Sequence, residues 1–358
     1  MTLTNEQIIQ IRELQAAGIQ HKALTQAQLD MIYTNNWFNL WVPQDLHGLE
    51  TSFPQGLAVL EELAYWDGGL GWTVTLCSGA NMFAGFIDPE LAKQVWTDPK
   101  VCLGGSGQVG GKAVRKGDGY EISGMWSYAT GAPHLTHFTL NAEIYDAGQQ
   151  VFQPDGEPLI RSFFVPRDQV LVHYDWDTFG LECTASHSFS LDQVWVPASY
   201  AFQLDPSHKQ STSALFQIPF MPFAELTLLV NYIGMFRRFT DLVEKYYFEK
   251  STDRKWADLH SKSRFKELDE IQVKHAASRK DILQLAELLW TQAKASEPAI
   301  DSSLLNEIAQ KSRAIVSEIR NDTTALFPFL GIRAAQRTSE LNIVFRNLFT
   351  ASQHSLLR

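Results

Sequence analysis

Apolar positions along the chain change their period twice. In the first hundred residues they recur at helical spacing, beginning with Ile8, Ile9, Ile11 and Leu14. Thr4 with Gln7 three residues on is a capping box that opens this helix, and Gly18 is expected to stop it. A second helix from Thr25 carries Leu29 and Ile32, and a third over Phe53–Tyr65 puts Leu57, Leu60, Glu61 and Ala64 on adjacent turns. Two more are expected over Gly71–Phe86 and Glu90–Trp96, the last opened by Asp88-Pro89. From Val101 the period falls to two, with Phe138, Leu140, Ala142 and Ile144 alternating with Thr139, Asn141, Glu143 and Tyr145. Similar runs at Arg161–Val165, Gln169–Tyr174 and Ser188–Val196 are separated by Gly, Pro and Asp turn signals. From Pro222 the period returns to 3.6, over 223–250, 265–295, 301–328 and 338–357, with apolar faces such as Ile282, Leu285, Leu288 and Leu289. The pattern predicts an α+β chain, mostly α. It has an N-terminal helical domain (1–100), a central antiparallel β-barrel or sandwich (101–205) and a C-terminal four-helix bundle (206–358). The polar linker Asp205–Ser213, which contains Pro206, marks the second boundary.

Composition narrows the function classes. The chain is 45% hydrophobic, enough for a large core, and its formal charge is −10 with no Lys/Arg run longer than two. That sign argues against nucleic acid and against an anionic membrane as partners. The polar N-terminus, MTLTNEQIIQ, predicts no signal peptide, and no apolar run reaches the length of a membrane span. Cys77, Cys102 and Cys183 are odd in number, far apart and without CxxC spacing, so neither a disulfide framework nor a zinc site is expected. A reducing cytoplasm suits them best. Of ten histidines the only close pair, His134/His137, has no carboxylate beside it at ligand spacing, so no metal site is predicted. No GxSxG elbow and no P-loop occur.

Three segments carry candidate chemistry. GGSGQVGG (Gly104–Gly111) lets backbone approach a planar or phosphorylated ligand, or is simply a flexible turn entering the sheet. WSYATGAPH (Trp126–His134) places Thr130 and the peptide N–H groups around Gly131 at a strand end, with Trp126 and Tyr128 as an aromatic wall. An ordinary core strand with a polar end reads the same way. In the last helix Arg346, Thr350 and Gln353/His354 fall on one polar stripe, where Arg fixes an anion, Thr donates and His titrates near neutrality. A surface face with a frayed end is the alternative.

In their order, these pieces resemble the acyl-CoA dehydrogenase superfamily over residues 20–355. WVPQDLHGLE (Trp41–Glu50), ELAYWDGGLGW (Glu62–Trp72) and FRNLFTASQH (Phe345–His354) look like its two-component flavin-dependent monooxygenase branch. FGLECTASHSFSLDQVWVP (Phe179–Pro197) is similar to a stretch shared by both branches. The resemblance implies FAD or FMN as cofactor, with Thr130 hydrogen-bonded to the flavin ring and Tyr128 at an aromatic wall position. It implies flavin contacts for Ser106 and Gln108, contacts to flavin or substrate for Thr184 and Ser186, and a well-kept Arg at Arg346. Asn347 stands where Asp is usual. A homotetramer and a separate flavin reductase are also implied.

The two branches need different chemistry. A dehydrogenase needs a carboxylate base; the Tyr-Glu-Gly usual in that family is replaced here by Gln353-His354-Ser355, and the resemblance implies an alternative base position at the start of the first bundle helix, near Ala224-Glu225, where Glu225 is the candidate. A monooxygenase needs a dry pocket, a hydrogen-bond donor and an acid/base, and Thr130 and His354 fit those parts. The site chemistry favours a monooxygenase acting on a small apolar or aromatic substrate, with an FAD-dependent acyl-CoA dehydrogenase second. A flavin-free protein that uses the fold as a binding module is third.

Overall fold

The computed structural model describes residues 3–358. Five helices come first: α1 (Asn5–His21), α2 (Gln26–Thr34), α3 (Phe53–Trp66), α4 (Gly68–Asn81) and α5 (Pro89–Val95). The capping box at Thr4 forms, and Thr25 with Gln28 makes a second one. Gly18 does not end α1; a Cβ there would lie 2.7 Å from Gln28 Oε1, so glycine lets α2 approach, and Lys22 in the left-handed region closes the helix. α4 starts three residues before Gly71 because the Asp67 carboxylate caps it, accepting from the N–H groups of Gly69 and Leu70.

Eight strands follow: β1 (Leu103–Lys116), β2 (Gly119–Ala129), β3 (His137–Asp146), β4 (Gln149–Gln150), β5 (Ile160–Pro166), β6 (Leu171–His173), β7 (His187–Pro197) and β8 (Ala201–Phe202). They form one sheet in the order β6-β7-β2-β1-β3-β5-β8, with β4 on β3. The expected antiparallel sheet is in fact mixed, because β1 and β3 run parallel. The cause is topological. β2 returns along one edge of β1, and the chain then crosses to the other edge, which restores the first direction. The glycine-rich segment is not a loop but part of β1, interrupted by register shifts between Gly105 and Gly111. A Cβ at Gly105 would sit 1.8 Å from the Thr139 carbonyl oxygen, so the bulge depends on glycine there.

The remaining long helices are α6 (Phe220–Lys250), α7 (Lys262–Ala293), α8 (Ser302–Leu326) and α9 (Glu340–Ala351). α6 is the central one, packing on α3, α4, α7, α8 and α9. The last helix is shorter than its apolar pattern suggests, since the chain turns away after Ala351.

The helical N-terminal part and the sheet are joined through buried amides. Asn81 Oδ1 accepts from the Leu103 N–H at 2.6 Å, and its Nδ2 donates to Asn39 Oδ1 at 2.8 Å. Trp96 Nε1 donates to the same Asn39 oxygen at 3.2 Å. β1 is thus registered against the end of α4. Among the described residues no helix is long and apolar enough to cross a membrane.

Candidate active site

The chain leaves β2 through backbone that side chains rarely adopt. Tyr128 has φ +70°, Gly131 +79°, and in the facing segment Leu181 and Ala185 have +55° and +44°. Such strain gathers where side chains must be aimed. The Gly131 N–H donates to the Thr184 carbonyl at 2.8 Å and ties the strand end to that segment.

Three hydroxyls then line up in the buried space between them. Thr130 Oγ1 is 2.9 Å from Ser186 Oγ, which is 2.8 Å from Thr184 Oγ1, and Thr184 Oγ1 donates to the Leu181 carbonyl at 2.9 Å. A hydroxyl has one proton and a carbonyl only accepts. Thr184 therefore spends its proton on Leu181, Ser186 donates to Thr184, and Thr130 donates to Ser186. Thr130 is left with lone pairs to offer and no proton to give. The relay faces its partner as an acceptor, which corrects the expectation that Thr130 is the donor, since its one proton is spent on Ser186.

The structure thus brings Thr130, Gly131, Thr184 and Ser186 together. Ser106 and Gln108 lie on the bulged stretch of β1, where the Gln108 N–H donates to Ser106 Oγ at 3.4 Å; no hydrogen bond joins either to the relay. Tyr128 is largely exposed and meets Trp176 edge-on at 6.3 Å. Trp126 is no wall: it is fully buried in the sheet core, stacked on Phe189 at 5.4 Å.

The last helix holds the 179–186 segment. Arg346 Nη1 donates to the Phe179 carbonyl at 2.6 Å and pairs with Glu182 at 2.7 Å, Nε donates to Asn342 at 2.8 Å, and Nη2 reaches the Arg337 carbonyl at 3.4 Å. Asn347 Oδ1 accepts from the Leu181 N–H at 2.7 Å, so the amide that replaces the usual Asp has its own partner. The guanidinium that the resemblance reads as a cofactor contact is thus held by partners within the chain. Its charge is already matched by Glu182.

His354 lies beyond α9, in the turn after Ala351, so the expected stripe of Arg346, Thr350 and His354 on one continuous helix does not form. Its ring packs edge-on to Trp72 of α4 at 5.9 Å, and Nδ1 accepts from the Leu356 N–H at 3.3 Å. The proton of the neutral ring is therefore on Nε2. Burial, helped by the charge of Arg358, pushes its pKa down to about 4, against the expected titration near neutrality. Nε2–H is a standing donor at pH 7.

This has a measurable cost in acid. In the unfolded chain the imidazole titrates near its ordinary 6.5, so between pH 6.5 and about 4 the unfolded state binds the extra proton and stability falls with pH. At about 1.4 kcal/mol per pH unit the loss reaches roughly 2 kcal/mol at pH 5. The thermal midpoint of the parent should drop further between pH 7 and pH 5 than that of His354→Gln; equal drops would contradict this assignment.

α4 runs behind the whole arrangement. Trp72 meets His354, the Cys77 thiol donates to the Thr130 carbonyl at 3.7 Å, and a Cβ on Gly69 would fall 2.3 Å from Cys183 Sγ. Trp72 and Cys77 are five residues apart, about 7.5 Å along the axis, which sets the relay and His354 along one helix. Glu225 is buried on α6, where burial raises its pKa against the opposing pull of Arg313, whose Nη2 lies 3.0 Å away. A carboxylate held by a guanidinium is not a free base.

Sequence spacing missed one cluster. Cys77, Cys102 and His134, separated by 25 and 32 residues, converge so that their ligand atoms all lie within 4.8 Å of one another. The expectation that the cysteines stay apart is corrected by the packing of α4 against β1 and the turn after β2.

No family model matches the chain. Among curated proteins it is 22% identical over 325 residues to the pigment production hydroxylase of Rhodococcus sp. (strain ATCC 21145), covering 88% of this chain and 81% of that one. It is 20% identical over 210 residues to the flavin-dependent monooxygenase oxygenase subunit HsaA of Rhodococcus jostii (strain RHA1), covering 56% of this chain and 52% of that one. Among solved structures, XiaF from Streptomyces sp. in complex with FADH2 and glycerol superposes with TM-score 0.84 at 22% identity, covering 99% of this chain and 90% of that one. FMN-bound dibenzothiophene monooxygenase TdsC from Paenibacillus sp. A11-2 superposes with TM-score 0.77 at 18% identity, covering 98% and 92%. The fold is the acyl-CoA dehydrogenase-like fold of two-component flavin-dependent monooxygenases.

Proposed function

We propose that this chain is the oxygenase component of a two-component flavin-dependent monooxygenase, using reduced FAD or FMN and O2 on a small apolar or aromatic substrate. We place it in the cytoplasm as a homotetramer with its C-terminal helices as a four-helix bundle around the assembly, supplied with reduced flavin by a separate reductase. The central domain is read as a barrel-like body over 101–205, between helical domains over 1–100 and 206–358.

The observation that carries this reading is the polarity of the hydroxyl relay. N5 of a reduced isoalloxazine bears an N–H, whereas N5 of the oxidised ring only accepts. Thr130, left as an acceptor, fits the reduced form. Gly131, Thr184 and Ser186 hold Thr130 in place, with Tyr128, Ser106 and Gln108 as further contacts. Bound reduced flavin would supply the electrons that activate dioxygen. The chain's own part is to orient the ring through Thr130, to keep water out with the apolar side chains of α4, and to present a proton at His354 Nε2. A donor that stays neutral at every pH above its low pKa suits oxygen chemistry, which must be shielded from stray protons. The partly buried Phe220, stacked on Phe223, suits an apolar substrate. Trp72, Trp126, Phe216 and Phe223 are buried among packed side chains.

Thr130→Val should weaken reduced-flavin binding by about 1–3 kcal/mol, the cost of an unsatisfied polar partner. Ser186→Ala returns a proton to Thr130 and should narrow the preference for reduced over oxidised flavin. Fluorescence and anaerobic titrations read both, and unchanged affinities in both variants would remove the relay from the site. For the reaction itself, dithionite-reduced, flavin-loaded protein is mixed with O2. A transient absorbance unlike either free flavin form supports the monooxygenase. Bleaching of oxidised flavin by an acyl-CoA alone indicates the dehydrogenase, and failure to bind any flavin indicates a binding module.

A further inference from the structure

We propose that Cys77, Cys102 and His134 form a binding site for a thiophilic divalent d¹⁰ cation, Zn(II), with the Thr130 carbonyl oxygen as fourth ligand. The three side-chain donor atoms lie within 4.8 Å of one another, and Cys77 Sγ is 3.7 Å from the Thr130 oxygen. With Zn–S near 2.3 Å and Zn–N or Zn–O near 2.1 Å, the edges of a tetrahedral site are about 3.4–3.8 Å. The Cys77–Thr130 edge already has that length, and the three edges among the side-chain donors require a contraction of about 1.2 Å or less.

Two further features of the pocket point the same way. His134 Nε2 is sealed from solvent and has no hydrogen-bond partner among the described residues. A buried nitrogen in that condition calls for an ion or a water to satisfy it. Gly131 borders the same spot: a Cβ there would lie 2.7 Å from His134 Nε2 and 3.2 Å from Cys77 Sγ, in the space between the donors. The positive φ of Gly131 keeps any side chain out of that space.

Charge selects the ion. Both thiols and Thr130 are buried, so the occupied site must be close to neutral. Two thiolates, a neutral imidazole and Zn(II) sum to zero, and binding releases the two thiol protons to solvent. Cu(I) would leave a buried negative charge, and hard cations disfavour sulfur. The inference stands apart from the flavin reading, since it concerns the far side of the Thr130 peptide.

The test is elemental analysis of the full-length protein purified from zinc-supplemented medium, with Co(II) exchange as the spectroscopic probe. The expected result is about one zinc per chain, and a tetrahedral cobalt spectrum with thiolate charge-transfer absorbance. Cys77→Ser and Cys102→Ser should each abolish that charge-transfer band or halve it, and His134→Gln should weaken zinc retention at least tenfold. His134→Gln keeps both thiols, so it stays informative if a cysteine variant fails to fold. Zinc well below stoichiometric, or a Cys77–Cys102 disulfide with no ion retained, overturns the proposal, as does zinc that survives all three substitutions.

Discussion

Arg346→Met is expected to cost about 3–5 kcal/mol of stability and, by releasing the 179–186 segment, to abolish flavin binding. The guanidinium is almost wholly buried, and it faces Glu182, whose carboxylate is itself mostly buried. Removing the cation leaves that carboxylate with only the exposed Arg337 as partner. The Phe179 carbonyl also loses its donor. Because the 179–186 segment carries Thr184 and Ser186, freeing it should scatter the relay. Denaturant unfolding and flavin titration measure the two effects. The double variant Arg346→Met/Glu182→Gln should recover part of the stability, since no buried charge is then left unpaired. A stability within 1 kcal/mol of the parent for Arg346→Met alone would show that the clasp is ornamental.

His354→Ala should lower turnover by about 10²–10⁴-fold while leaving flavin affinity little changed. The effect follows from the single free proton at Nε2, fixed by the Leu356 N–H on the other nitrogen. Glutamine, which can present an N–H of its own, should restore part of the rate. A separate consequence follows from the low pKa. The turnover of the parent should show no inflection near pH 6.5, because the imidazole is already neutral there. A clear inflection at that pH, lost in His354→Ala, would mean that the ring titrates normally and works as a base.

Much of the arrangement was legible from local pattern. The capping box at Thr4, the helix faces and the alternating strand at 138–145 are written in neighbouring residues, and they appear where the spacing puts them. The resemblance of their segments implies flavin or substrate contacts for Thr130, Thr184 and Ser186, and their three hydroxyls are hydrogen-bonded to one another. What local pattern does not carry is convergence. The parallel pairing of β1 and β3 follows from a crossover, which no period reports. The thiol–imidazole cluster draws on α4, the approach to β1 and the turn after β2, so no ligand spacing exists to be read. Arg346 reads as an anion binder on a helix face because its true counter-ion, Glu182, is 164 residues away. His354 was set on a continuous helix because apolar residues persist past Ala351, although the backbone does not.

The clasp of the last helix on the 179–186 segment also orders events in time. The Thr130–Ser186–Thr184 relay is complete in sequence long before Arg346 and Asn347 are made. At about 5–20 residues per second, some ten to thirty seconds of synthesis separate the two. During that interval the segment lacks both the guanidinium that holds the Phe179 carbonyl and the amide that holds the Leu181 N–H. On the proposed reading, the seat for the flavin becomes rigid only after the helix that carries Arg346 and Asn347 has been made, and that helix is then a checkpoint on the chemistry the relay performs.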